Sequence, residues 1–339
     1  MKIYFYTSGC KVNQYETQVL IEQFGPDTFT ENIHEADTCI INSCTVTHNA
    51  DADCRQAVRK CLRENPAARI IVTGCSAVSS ADEISKLSPR VIICPNKKEI
   101  AKILAIPVEH KKTDTITSFH KHSRAFVKIQ DGCDAFCSYC IVPHVRSTIW
   151  SKPKETVMQE IEVLVKNGYT GIVLCGIRLG KYNEGGFKLV NLIKSLLGKF
   201  NSIKIYFSSF EILEINSELL DLMANSQQFE RHFHIPLQSG DDEILKKMKR
   251  PYTTAQFEQQ LTRIYAKLPD VKITSDVIVG FPGETVEQFN NTLEFVKHNK
   301  FSKLHVFRYS PRKGTPASLL PGRIDPSETK RRAKLLLNF

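Results

Sequence analysis

Three times within its first 75 residues the chain runs a short apolar stretch into a polar residue, a small residue and a cysteine: Thr7-Ser8-Gly9-Cys10, Asn42-Ser43-Cys44 and Thr73-Gly74-Cys75. The stretches at Lys2–Tyr6, Thr38–Asn42, Arg69–Thr73 and Val91–Cys94 have strand length and suit buried strands. Helical patterns near Gln14–Phe24, Ala50–Glu64 and Lys97–Leu104 lie between them. Strands that alternate with helices predict a doubly wound parallel sheet. In such a sheet the loops after the strand C-termini open on one edge, where ligands bind. Three cysteines placed after three strands therefore have a way to converge on one point.

A polar segment at 108–123, with Lys111, Lys112, Lys121 and three histidines, reads as a linker between an N-terminal domain (1–107) and a second domain (124–324). The second domain has six predicted strands, Arg124–Gln130, Gly171–Leu174, Lys204–Phe207, His232–Ile235, Lys272–Val279 and Lys303–Phe307. Helical patterns such as Lys154–Lys166, Ser217–Ala224, Thr254–Ala266 and Glu284–Lys297 separate them. Six β/α units predict a partial (β/α)6 TIM-like barrel, so the fold class is α/β throughout. Residues 325–339 begin a basic helix.

Directly after the first barrel strand comes Cys133-Asp134-Ala135-Phe136-Cys137-Ser138-Tyr139-Cys140, a C-x3-C-x2-C loop. Three thiolates on one short loop can bind three irons of a four-iron cluster and leave the fourth open to a ligand. The same residues with His144 would also make a zinc site. Cys54 and Cys61 fall on the apolar stripe of a helix, and Cys39, Cys94 and Cys175 lie in or at the end of apolar strands, so these five read as core. Eleven cysteines without a leader-like N-terminus point to cytoplasmic metal or redox chemistry rather than disulfides. No run of 18 apolar residues is present, so no membrane partner is expected. A net charge of +10 favours a polyanionic partner.

The loop with an aromatic before its last cysteine resembles the radical S-adenosylmethionine superfamily. Joined to Cys10-Lys11-Val12-Asn13, Cys44 and Cys75, it resembles the methylthiotransferases within it. The likeness runs through His234-Ile235-Pro236-Leu237-Gln238-Ser239-Gly240, Asp276-Val277-Ile278-Val279-Gly280-Phe281-Pro282-Gly283-Glu284 and Arg308-Tyr309-Ser310-Pro311-Arg312-Lys313-Gly314-Thr315. Gly9–Asn13 and Cys175–Tyr182 are most similar to the branch that modifies threonylcarbamoyladenosine in tRNA. The alternatives are the isopentenyladenosine branch and the branch that acts on a protein side chain.

That resemblance implies two [4Fe-4S] clusters, one catalytic on Cys133, Cys137 and Cys140 and one auxiliary on Cys10, Cys44 and Cys75. S-adenosyl-L-methionine would bind the open iron of the first and yield a 5′-deoxyadenosyl radical that takes hydrogen from C2 of the adenine. The auxiliary cluster would supply sulfur, and a second S-adenosylmethionine the methyl group. The resemblance places Tyr139, Gly176, Ser209, Glu211, Gln238, Asp276, Ile278 and Gly280 around the cofactor; turn or cap chemistry is the other reading of Ser209, Glu211 and Gln238. It implies a monomer, a low-potential electron donor such as flavodoxin, and the tRNA anticodon stem-loop as partner. Lys297–Arg323 holds seven Lys or Arg and no Asp or Glu, and Arg308, Arg312 and Lys313 are the expected phosphate contacts there. Lys246, Lys247, Lys249 and Arg250 form a second basic group. Two departures stand out. These 339 residues do not reach the family's C-terminal RNA-binding β-barrel, which is either cut off or dispensable for tRNA binding here, and Arg146 is followed by Ser147 where the family has glycine.

Overall fold

A computed structural model describes residues 1–106, 114–120 and 122–337. The remaining part of the predicted linker, residues 107–113 and 121, lies outside the described residues. The first body is a five-stranded parallel sheet in the order β2-β1-β3-β4-β5, with β1 Ile3–Thr7, β2 Phe29–Thr30, β3 Thr38–Ser43, β4 Arg69–Gly74 and β5 Val91–Ile93. Helix α1 (Lys11–Phe24) follows β1 and helix α2 (His48–Glu64) follows β3. Alternation along β3 and β4 explains their unbroken apolar character. Cys39, Ile41, Ile70 and Val72 pack on one face with Cys54, Val58 and Cys61 of α2. Ile40 and Ile71 pack on the other with Leu20 and Phe24 of α1 and with Cys94. All five cysteines read as core are buried. Strand β2 was not expected: two residues are too few to leave a pattern. The expected helix at Lys97–Leu104 splits into a 3-10 turn, Lys97–Glu99, and a helical turn, Ile100–Ile103.

The second body is an open barrel of six parallel strands: β6 Arg124–Lys128, β7 Gly171–Cys175, β8 Lys204–Phe207, β9 His232–His234, β10 Lys272–Val279 and β11 Lys303–Arg308. β6, β7 and β8 are hydrogen-bonded in sequence, as are β9, β10 and β11. Single bridges at Ile205↔Phe229 and Ser209↔His234 join the two halves. Tyr15 and Val19 of α1, and Ile116 and Phe119 of the linker, are buried in the barrel's own core. The first helix thus belongs to both bodies. The final helix, Pro326–Leu337, lies against the β11 side, where Arg332 pairs with buried Glu284 at 2.8 Å.

Buried polar contacts lock the bodies together. Lys152 Nζ donates to Glu160 Oε2 and to the Tyr15 hydroxyl, each at 2.7 Å, and Tyr15 donates to Glu160 Oε1 at 2.7 Å. Arg312, expected on the RNA surface, makes a second lock. The residue is 6 % exposed, its guanidinium donating to Asp51 Oδ2 at 2.5 Å and Thr45 Oγ1 at 2.7 Å across 261 and 267 residues of chain. A phosphate cannot reach a cation already desolvated against its own carboxylate, so Arg312 is removed from the phosphate contacts. Arg308 and Lys313 remain exposed.

Removing one partner of such a buried pair leaves the other charge unpaired, at a cost of about 3–5 kcal/mol. Arg312→Ala is therefore expected to lower the unfolding midpoint in urea sharply, whereas Lys313→Ala leaves the unfolding free energy within about 0.5 kcal/mol of the parent. Equal midpoints for the two variants would contradict this placement.

Candidate active site

The first cysteine triad sits where a doubly wound sheet binds its ligands. Strand order reverses between β1 and β3, which pair in parallel from Ile3↔Thr38 to Thr7↔Asn42. Cys10 caps the N-terminus of α1, Cys44 follows β3, and Cys75 opens a short helix after β4. Gly9 has φ +112°, and a side chain there would come within 2.6 Å of Cys44 Cβ, so only glycine lets the two loops approach. Cys44 Sγ accepts a bond from the Val46 amide at 3.4 Å, and Cys75 Sγ accepts one from Arg146 Nε at 3.4 Å.

Arg146 is the pivot of the site. Besides Cys75, its guanidinium holds Glu16 Oε1 and Oε2, Asp131 Oδ2 and Asn13 Oδ1 at 2.8–2.9 Å. Its carbonyl accepts the amide of Cys133 at 3.2 Å. Lys128 bonds both Glu16 and Asp131, and Lys97 adds a third cation to Glu16. Burial works to raise the Glu16 pKa, but Lys128, Lys97 and Arg146 together hold it well below the usual carboxylate range.

The second triad rides a loop pinned at its centre. Ser138 donates its amide to Met248 O at 3.0 Å and its hydroxyl to Lys247 O at 2.7 Å, and accepts the Ala317 amide at 2.8 Å. Arg250 lies inside the site rather than on a basic surface. Its side chain is 3 % exposed, paired with Glu211, and donates to Cys137 Sγ at 3.2 Å. Arg178 is held by Glu214 at 2.7 Å and Asp134 at 3.0 Å. Sequence reasoning missed these arginines as site residues, because each is anchored by residues distant in the chain.

The expected cofactor residues divide. Gln238, with φ +70°, bonds through its backbone to Asp276 and Ile278, each at 2.8 Å, so these three are brought together. Tyr139 packs with Ile278, Met248 and Phe281. Asp276 pairs with His234 at 3.1 Å, and Ser209 is an exposed residue bridged to His234. Glu211 is taken by Arg250. The tight approaches at two glycines are to protein groups: a Cβ at Gly176 would meet Gln130 at 2.9 Å, and one at Gly280 would meet Thr329 at 2.6 Å.

The donor chemistry fits two iron–sulfur clusters. Burial pushes the Cys10 and Cys133 thiols up, Cys44 to about 11 and Cys140 to about 12, so these sulfurs ionise readily only against a metal. The hydroxyls of Ser8 and Thr73, at the sheet edge that carries the first triad, are buried without partners. Arg312 Nε and NH1, next to Thr45, are likewise unpartnered. His144 is exposed, with its ring edge-on to Phe136 at 5.9 Å.

Two family models match: the radical SAM superfamily over residues 127–296 and the uncharacterized protein family UPF0004 over residues 2–94. The threonylcarbamoyladenosine tRNA methylthiotransferase MtaB of Bacillus subtilis is 37 % identical, across 98 % of this chain and 79 % of its own length. The MtaB of Aquifex aeolicus is 35 % identical, across 99 % and 87 %. A tRNA-2-methylthio-N(6)-dimethylallyladenosine synthase of Endomicrobium trichonymphae follows at 33 %, across 98 % and 82 %. Among solved structures, the radical S-adenosylmethionine methyltransferase TsrM of Kitasatospora setae shares the fold at TM-score 0.69 and 13 % identity, over 94 % of this chain and 77 % of that one. With both domains and near full-length similarity in hand, the chain belongs to the radical S-adenosylmethionine methylthiotransferases.

Proposed function

We propose that this protein methylthiolates C2 of N6-threonylcarbamoyladenosine beside the tRNA anticodon. One observation carries the reading: Arg146 touches Cys75 with its side chain and Cys133 with its backbone, so one residue of each cysteine triad lies against the same arginine. Insertion of sulfur at an unactivated carbon needs hydrogen abstraction and sulfur delivery at the same atom, and this arrangement brings the two within reach of one base. When bound, the two clusters and S-adenosylmethionine supply the radical, sulfur and methyl chemistry. Cys133, Cys137 and Cys140 would hold the catalytic cluster, and Cys10, Cys44 and Cys75 the auxiliary one.

The chain's own residues bind, orient and balance charge. Arg250 and Arg146 place a cation on one sulfur of each triad, which favours the ionised ligand. Gln238, Asp276 and Ile278 form a continuous backbone rim on which an adenosine can lie, and the Tyr139 ring closes one side. Exposed Arg308 and Lys313 at the end of β11 meet phosphates of the anticodon stem-loop. The reducing electron comes from a low-potential donor such as flavodoxin, and the enzyme works as a cytoplasmic monomer. Among the described residues, no helix is long and apolar enough to cross a membrane.

Mass spectrometry of nucleosides from tRNA incubated with the reconstituted enzyme tests the reaction directly. A methylthio product on threonylcarbamoyladenosine is expected; product only on isopentenyladenosine, or on a ribosomal protein, would overturn it. Two triple variants separate the clusters. Replacing Cys133, Cys137 and Cys140 with Ala should reduce iron from about eight to about four per chain and abolish cofactor cleavage. Replacing Cys10, Cys44 and Cys75 with Ala should leave cofactor cleavage and stop product. Methylthio product from that second variant would remove the sulfur-donor role.

The basic surface is tested by salt. An Arg308→Ala, Lys313→Ala variant should bind the stem-loop more weakly. Its plot of log affinity against log salt should be shallower by about 0.7–0.9 for each lost contact. An unchanged slope would place the RNA elsewhere.

A further inference from the structure

The substrate named above carries a feature that the unmodified base lacks: the threonyl group on N6 ends in a carboxylate. C2 and C6 flank the same ring nitrogen, so a base with C2 between the two triads puts that carboxylate within the same space. A buried carboxylate needs a cation or several donors. The cations already found there are committed. Arg146 and Lys128 hold Glu16 and Asp131, Arg178 holds Glu214 and Asp134, and Arg250 holds Glu211.

Lys11 differs from all of these. It follows Cys10 as the first residue of α1, is exposed, and has no hydrogen bond or ion pair among the described residues. Its direction is fixed by its neighbours on the helix. Tyr15, four residues on and so on the same face, is 1 % exposed and inserted in the barrel core against Lys152 and Glu160. Side chains on a helix lean toward its N-terminus, so the ammonium of Lys11 stands one turn above Tyr15, at the barrel opening. Its charge is felt at Cys175 on β7, His232 on β9 and His305 on β11. Those three residues lie on separate strands, which agrees with a place for Lys11 at the barrel mouth.

We propose that Lys11 is a specificity-determining residue whose ammonium takes the carboxylate of the threonylcarbamoyl group, so that the acid form of the substituent is selected over uncharged forms. This rests on the substrate reading above. Asn13 and Glu16, at the same end of the helix, are engaged with Arg146, so Lys11 is the one cation at that end without a partner among the described residues.

The test compares two anticodon stem-loop RNAs, one with threonylcarbamoyladenosine and one with its threonine amide, in fluorescence titrations and product assays with the holoenzyme. The wild-type enzyme should bind the acid roughly tenfold or more tightly than the amide, the usual scale of a charge-assisted hydrogen bond. Lys11→Met should lose that preference by weakening the acid alone, and Lys11→Arg should restore most of it. Iron content of each variant reports whether the neighbouring Cys10 site is intact. A variant that loses iron does not rescue the proposal, because the wild-type comparison stands alone: equal binding of acid and amide by the wild type overturns it. So does a Lys11→Met enzyme of full iron content that keeps the preference. Absence of methylthio product from either RNA with the wild type would instead mark failure of the substrate reading.

Discussion

Five charges are taken largely out of water where the two bodies meet: Glu16 and Asp131 against Lys97, Lys128 and Arg146. Desolvating each costs several kcal/mol, and mutual attraction repays it only when geometry and hydrogen bonding are complete. Here both carboxylates are multiply bonded, yet the signs do not cancel, because three cations face two anions. The sulfur of Cys75 stands against that surplus, 3.4 Å from Arg146 Nε. A thiolate or an anionic cluster at that point completes the charge balance. The domain interface and the auxiliary site are therefore one electrostatic unit, and neither is settled without the other.

That coupling explains why parts of the site were legible in the sequence and others were not. The strand–small residue–cysteine repeat is local, so the convergence of Cys10, Cys44 and Cys75 on one sheet edge could be read from the alternation of strands and helices. The cluster loop is equally local. Arg312 was misread because its partner Asp51 is 261 residues away, and an arginine without nearby acids looks free in one dimension. Arg250 was grouped with Lys246, Lys247 and Lys249 for the same reason, although it alone of the four turns inward to Cys137. Gly176 and Gly280 were expected around the cofactor, but the tight approaches there are to protein groups. The approaching groups, Gln130 and Thr329, come from elsewhere in the chain.

Helix α1 shows how one element can set the spacing of a two-centre site. Its N-terminal residue is bounded by Cys10, its first two turns hold Arg146 through Asn13 and Glu16, and its second and third turns bury Tyr15 and Val19 in the barrel. An open barrel leaves β6 and β11 as edges with unpaired backbone, and edges need cover. By packing beside β6, α1 gives part of that cover and carries the first sheet's ligand edge to the barrel mouth. The helix has no side-chain cap and no acid in its first turn, so its free amides and partial positive charge remain turned toward that mouth. Since a helix of 14 residues is rigid over its length, a shift of Tyr15 in the barrel core is transmitted to Cys10 without loss. The buried Tyr15–Lys152–Glu160 triad thereby fixes where the sulfur-bearing edge stands relative to the loop of Cys133.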